Sequence, residues 1–250
     1  RGVFLARLLG TGLLMPKRRI TGTDVAGRVE TVGKNVKRFK PGDEVFGDAS
    51  ASFAEYACAR EDLLVLKPVN VTFEEAAAVG VAATSALQGL RAGQIQPGQK
   101  VLVNGASGAV GSFAVQIAKS FGAEVTAVCS TKNLDNARLL GADHVIDYTQ
   151  EDFTRNGHRY DLIAAVNGHH SIGDYRRSLT PTGKCVVAGG SLSQILQALV
   201  LGKNGFAVGQ AAVEQLRPDE QFLRQLGDFV RAVLEHEENL VKLRALDPEL

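Results

Sequence analysis

Residues 20–31 and 44–46 have the short alternating runs of strands. They are joined by Gly33-Lys34-Asn35 and Pro41-Gly42-Asp43, which carry turn chemistry. Residues 52–59 and 63–66 predict two further strands, whereas 1–19 are basic and apolar without a clear element. The period changes at Thr72. With Glu75 three positions on, Thr72 has the form of a capping box, and the Ala-rich run 74–78 opens a helix. A second helix is expected over 83–92, and Pro97-Gly98-Gln99 turns the chain into a strand at 100–104.

Strands and helices alternate from there. Val110, Phe113, Ala114, Ile117, Ala118 and Phe121 recur at helical spacing, and Gly122 is placed to end that helix. Strands are predicted over 124–129, 144–148, 160–166 and 184–189, with a helix over 133–140 closed by Gly141. This alternation predicts an α/β fold with a parallel sheet covered on both faces. Residues 191–201 read as a helix, and 202–217 carry no clear pattern. Over 219–246, Phe222, Leu226, Phe229, Val233, Leu240 and Leu243 form the broken apolar stripe of a long charged helix.

Composition narrows the class. Hydrophobic residues make up 45% and charged residues 22% of 250, an ordinary globular balance with room for two domains. A net charge of +1 gives no reason to expect nucleic acid or an anionic membrane. No apolar run reaches the ~18 residues of a membrane span. Cys58, Cys129 and Cys185 are far apart and form no C-x-x-C pair, so a reduced, cytoplasmic setting is expected. The chain starts at Arg1 without Met or a signal pattern, and reads as lacking the N-terminus of a longer protein.

The sharpest chemical feature is Asn104-Gly105-Ala106-Ser107-Gly108-Ala109-Val110-Gly111, between a predicted strand and a predicted helix. Gly105 permits a tight turn, Gly108 lets backbone approach a pyrophosphate, and Gly111 lets the helix pack closely. Free N–H groups and the helix dipole then favour phosphate. The loop departs from G-x-G-x-x-G spacing, and a glycine turn serving packing alone is the competing reading. An NAD site usually has an acid about 20 residues past the loop. Here the next strand ends Val128-Cys129-Ser130-Thr131-Lys132, with no acid. Two hydroxyls and an ammonium suit a 2′-phosphate, which favours NADPH. Ser130 and Thr131 could also cap the helix that follows.

Several segments stand in the order found in medium-chain dehydrogenases/reductases. They are Gly22-Thr23-Asp24-Val25-Ala26-Gly27, Val32-Gly33, Pro41-Gly42-Asp43-Glu44-Val45, Gly105-Ala106-Ser107-Gly108, Cys129-Ser130-Thr131 and Gly141-Ala142-Asp143. Residues 161–168 and Gly189-Gly190-Ser191 fit the same pattern, and roughly residues 1–206 resemble the zinc-free, quinone-oxidoreductase-like branch. The resemblance implies a partial β-rich GroES-like catalytic domain over 1–72, a doubly wound Rossmann NADP-binding domain over 73–206, and a divergent helical tail over 207–250. It implies hydride transfer from NADPH to a quinone, an enone or a related carbonyl compound. It also implies that Ser130, Lys132 and Tyr148 surround the adenosine 2′-phosphate, with Asn167 near the cofactor. Gly189, Gly190 and Ser191 would lie near the nicotinamide, and Thr84 would help seat the cofactor. For Tyr148, a strand-end aromatic covering core is an equal reading.

Zinc-dependent relatives carry Gly-His-Glu where this chain has Gly22-Thr23-Asp24, and Thr is a poor zinc ligand. The region Val79-Gly80-Val81-Ala82 also lacks the cysteine of those relatives. No metal is therefore expected, adjacent His169 and His170 read as a loop pair, and Asp24 reads as structural. No side chain stands out as the catalytic acid. The rival function is a non-catalytic NADPH-binding module, suggested by the incomplete first domain and altered tail. Association as a homodimer, through sheet edges or the tail helix, stays open.

Overall fold

The computed structural model describes residues 20–166 and 170–188 and the backbone of Phe206–Val208. The helices expected over 191–201 and 219–246 lie outside these residues. The chain divides into two compact units, Arg1–Val81 and Ala82–Leu250.

In the first unit, β1 (Asp24–Arg28), β2 (Glu44–Asp48) and β3 (Leu64–Leu66) form an antiparallel sheet in that order. β1 is shorter than the predicted 20–31 run. Gly22 before it takes φ +99°, outside strand geometry. Segment 52–59 is not a strand. Its first amides point back, Phe53 N–H donating to Thr21 O at 3.0 Å and Ala54 N–H to Ser52 O at 2.8 Å. The segment becomes a loop with Phe53 and Tyr56 exposed.

The capping box forms as its spacing predicts. Thr72 Oγ1 accepts from Glu75 N–H at 3.2 Å, and Glu75 Oε2 accepts from Thr72 N–H at 2.9 Å. It opens α1 (Phe73–Ala92), one continuous helix where two were expected. Gly80 lies inside this helix, where a Cβ would overlap Asp24 Oδ1 and lie 3.0 Å from Gly47 O. Glycine thus permits the close approach of β1 and β2 to this turn of the helix. Val81 N–H donates to Asp24 Oδ1 at 2.6 Å, which gives Asp24 a structural part. Asp48 stands opposite Asp24 across the ladder. Burial, and then the charge of Asp24, push the Asp48 carboxyl above its ordinary value.

In the second unit six parallel strands run in the order β6-β5-β4-β7-β8-β9. They are β4 (Lys100–Asn104), β5 (Glu124–Cys129), β6 (His144–Asp147), β7 (Tyr160–Ala165), β8 (Leu179–Val187) and β9 (Phe206–Val208). The order reverses direction between β4 and β7, the doubly wound arrangement in which ligands sit beyond the carboxyl ends of the strands. Val101, Leu102, Val103, Leu162 and Ile163 at the centre are fully buried. Burying each such side chain stabilises the unit by roughly 1.5–3 kcal/mol. The connecting helices are α2 (Ala109–Ser120), α3 (Leu134–Leu139) and α4 (Ile172–Arg177). α4 was not anticipated; a Ser171–Asp174 capping box opens it. β8 starts at Leu179 rather than 184 because its register against β7 shifts between Tyr160 and Leu162, which accommodates Pro181 and Gly183.

Asp143, in the turn before β6, fastens three elements. Lys119 Nζ of α2 reaches its two oxygens at 2.8 and 2.7 Å, and Val125 N–H of β5 donates to Oδ2 at 2.7 Å. Burial works to raise the Asp143 carboxyl, but Lys119 and the Val125 amide together hold it below its ordinary value. A depressed folded pKa means stability that is fully present above the unfolded value of ~4 and lost as pH falls through the folded one. Asp143→Asn should therefore lower stability at pH 7 by about 1 kcal/mol, discounted for partial exposure. The gap from wild type should close as pH falls below the unfolded value of ~4 in acid-dependent thermal melts. A pH-independent gap would show that packing, not charge, is at work.

Candidate functional site

The glycine loop leaves the carboxyl end of β4. Gly105 takes φ +91°, and its N–H and that of Ala106 donate to Val128 O, both at 3.1 Å. The loop is thereby fixed against the end of β5. Gly108 N–H closes the turn on Gly105 O at 3.2 Å. Gly108 is the N-cap of α2 in an extended conformation, with no side-chain cap, and the first turn of α2 holds no acidic residue. Ser112 is the first amide of α2 to reach an i−4 carbonyl, on Gly108 O at 2.8 Å. The amides of Ala109, Val110 and Gly111 precede it, as at any helix start. Ser107, Gly108 and Ala109 are exposed, while Gly111 is buried.

The three glycines have different reasons. Gly105 needs the left-handed backbone. At Gly111 a Cβ would overlap Gly105 O and lie 2.8 Å from Gly105 C and 2.9 Å from Ala106 Cα. The close packing expected of Gly111 is thus against the turn itself. A Cβ at Gly108 meets only Gly105 O, at 3.6 Å. Among the described residues the fold leaves Gly108 room for a side chain, so no packing there requires its bareness. A phosphate fits this cradle: bare backbone, a helix N-terminus and no acid in the first helical turn.

The next strands bring the second cluster to the same edge. Cys129 and Asp147 are partners across β5 and β6, and Tyr148 N–H donates to Cys129 O at 3.1 Å. Ser130, Thr131 and Lys132 thus stand beside Tyr148, which is 61% exposed and covers no core. Ser130 caps no backbone amide with its side chain; its Oγ accepts from Asn133 Nδ2 at 3.0 Å. Thr131 is placed differently from expectation. Its hydroxyl donates to Asp147 Oδ2 at 2.5 Å. Asp147 Oδ1 accepts from Thr149 N–H at 2.9 Å and Thr149 Oγ1 at 2.7 Å. These donors, Thr131 first, hold the Asp147 carboxyl below its ordinary value. Asp147 thus brings a carboxylate from the end of β6 beside the Ser130–Lys132 segment, and sequence reasoning overlooked it.

Asn104 and Tyr175 were also overlooked as a pair. Asn104 Nδ2 donates to Tyr175 Oη at 3.0 Å, both groups being buried. Burial pushes the Tyr175 phenol up to about 12, so it stays protonated. Tyr175 in turn lies edge-on to His170, with ring centroids 5.9 Å apart, and Phe153 meets the same imidazole at 4.8 Å. His170 is therefore packed among aromatic rings rather than standing in an open loop. Among the described residues no three His, Cys, Asp or Glu side chains converge as a metal site. Thr84 lies half-buried within α1. Asn167, Gly189, Gly190 and Ser191 lie outside the described residues. No helix among those described is long and apolar enough to cross a membrane.

Comparisons with known proteins agree with this architecture. Residues 7–69 match the family model for the alcohol dehydrogenase GroES-like domain, and 109–217 match the one for zinc-binding dehydrogenase. A 2-methylene-furan-3-one reductase of Solanum lycopersicum is 39% identical over 71% of this chain and 46% of its own. An NADPH-dependent alkenal/one oxidoreductase, chloroplastic, of Arabidopsis thaliana is 40% identical over 59% of this chain and 42% of its own. The chain spans about half the length of these curated relatives. The solved quinone oxidoreductase from Coxiella burnetii superposes with a TM-score of 0.75 at 25% identity, over 94% of this chain and 76% of that one. The chain belongs to the medium-chain dehydrogenase/reductase superfamily, in its quinone-oxidoreductase-like branch.

Proposed function

We propose that this chain is part of an NADPH-dependent, zinc-free reductase of quinones, enones or related carbonyl compounds. The observation that carries the reading is the cradle at Gly105–Gly111, with Ser130, Lys132 and Tyr148 gathered at the neighbouring strand ends. The strand order β6-β5-β4 suits a dinucleotide, with pyrophosphate on the helix N-terminus after β4 and the adenosine beyond β5. The names of the reductases and oxidoreductases among the relatives support the same class. The vacant ligand position at Thr23, beside an Asp24 already engaged by Val81, supports a mechanism without zinc. The domain limits 1–72 and 73–206 are part of this reading, as are Thr84, Asn167, Gly189, Gly190 and Ser191 as further cofactor contacts.

NADPH, when bound, would supply a hydride for the acceptor. The protein's work is then orientation. The amides of the first turn of α2 hold phosphate, Lys132 and Ser130 hold the 2′-phosphate, and the Asn104–Tyr175 bond keeps the loop base rigid. The proton that completes reduction of a quinone or enone comes from a side chain or from water. Three free cysteines fit a reducing compartment such as the cytoplasm, and a homodimer remains part of this proposal.

Titration of the purified chain with NADPH and with NADH, by cofactor fluorescence, tests the reading. Selective NADPH binding is expected. Equal binding would overturn the 2′-phosphate assignment, and no binding by a folded chain would overturn the cofactor site. A screen of quinones and enones then separates a reductase from a non-catalytic NADPH-binding module, which would bind NADPH and oxidise none.

A further inference from the structure

We propose that Asp147 is a specificity-determining residue: it takes the Thr131 hydroxyl out of the 2′-phosphate site and caps the preference for NADPH over NADH. The inference rests on the cofactor reading above and deepens it.

A threonine hydroxyl has one proton to donate. Here that proton goes to Asp147 Oδ2 at 2.5 Å, a short charge-assisted bond. Thr149 Oγ1 also lies 3.2 Å from Thr131 Oγ1. Two donors from Thr149 orient the carboxylate from its other oxygen. Asp147 is thus fixed on three sides at the end of β6, in register with Cys129, the last residue of β5. Ser130 and Lys132 flank the threonine that it binds. Of the three side chains in the Ser130–Lys132 segment, one is engaged by a carboxylate, and that carboxylate is a like charge to the phosphate. Both effects disfavour NADPH, and neither acts on the 2′-hydroxyl of NADH.

Asparagine at 147 keeps an oxygen for the Thr149 donors. Its amide can donate to Thr131 Oγ1, which frees the threonine proton and removes the negative charge. Asp147→Asn should therefore tighten NADPH about five-fold while leaving NADH within about two-fold. Thr131→Val is the second variant. Because its hydroxyl is already engaged, NADPH affinity should change by less than about three-fold, against the ten-fold or more expected of a lost phosphate donor.

The test is the ratio of NADPH to NADH dissociation constants in wild type and both variants, with thermal melts to establish folding. A merely structural role for Asp147 would move both cofactors together and leave the ratio alone. Unchanged or weakened NADPH binding in folded Asp147→Asn overturns the proposal. So does a selective ten-fold loss of NADPH in Thr131→Val. If wild type binds neither cofactor, the underlying reading fails and this inference falls with it. If wild type prefers NADPH and the ratio does not respond, only this inference falls.

Discussion

Gly111→Ala should destabilise the second unit by about 3 kcal/mol, while Gly108→Ala, three residues away, should stay within about 1 kcal/mol of wild type. The added Cβ at 111 would overlap Gly105 O and crowd Gly105 C and Ala106 Cα at 2.8 and 2.9 Å. All three are backbone atoms of a turn fixed to Val128 O by two amides. No side-chain rotation relieves that clash. Either α2 lifts from the sheet, where Ala114, Val115, Ile117 and Ala118 are buried, or the Gly105 turn opens. At 108 the added Cβ has Gly105 O at 3.6 Å, an ordinary contact, and φ −79° suits alanine. Thermal melts should separate the two by roughly 6–12 °C. Cofactor titration should reverse the order of interest: Gly108→Ala, although stable, should lose NADPH affinity because its methyl stands where backbone must meet pyrophosphate. Equal melting temperatures would show that α2 yields easily. Full NADPH affinity in Gly108→Ala would place the phosphates elsewhere.

That contrast also explains what local sequence could reveal. The glycine loop was legible because its residues, the strand before it and the helix after it are contiguous. The Thr72–Glu75 box was legible for the same reason, its two hydrogen bonds spanning three positions. Some of the misreadings involve partners that are distant in sequence. The two helices expected around 74–78 and 83–92 are one, with Gly80 inside it against Asp24 and Gly47. Segment 52–59 has the composition of a strand, yet its amides bond to Thr21 and to its own Ser52. α4 is only six residues long, although Ser171 and Asp174 carried its start signal.

Asp147 shows the same limit at the site. The search for an acid followed β5 to its end, where the chain reads Ser130-Thr131-Lys132. In a parallel sheet the adjacent strand delivers its own carboxyl end to the same place, and the pairing of Cys129 with Asp147 does so here. A count of register from His144, partner of Thr126, would have found it. Of the two hydroxyls just after β5, that of Thr131 is then a tie to an acid.

Lys132→Glu should weaken NADPH about 50-fold and leave NADH almost unchanged, or slightly tightened. Lys132 is exposed and lies within the single helical turn Thr131–Asn133 that begins immediately after Ser130. Its replacement removes no buried group, so melting should not change. Its neighbours make the reversal severe. With Thr131 held by Asp147, the ammonium is the one positive charge in the Ser130–Lys132 segment, and a glutamate would join Asp147 in repelling a 2′-phosphate. The loss should shrink as ionic strength rises, because exposed charges are screened over ~8 Å at physiological salt. NADH lacks the phosphate and should respond to neither the substitution nor the salt. A parallel loss of both cofactors would mean that the turn has been disturbed rather than its charge reversed. An unchanged NADPH constant would remove Lys132 from the site and leave Ser130 and Tyr148 too weak a pair to choose NADPH.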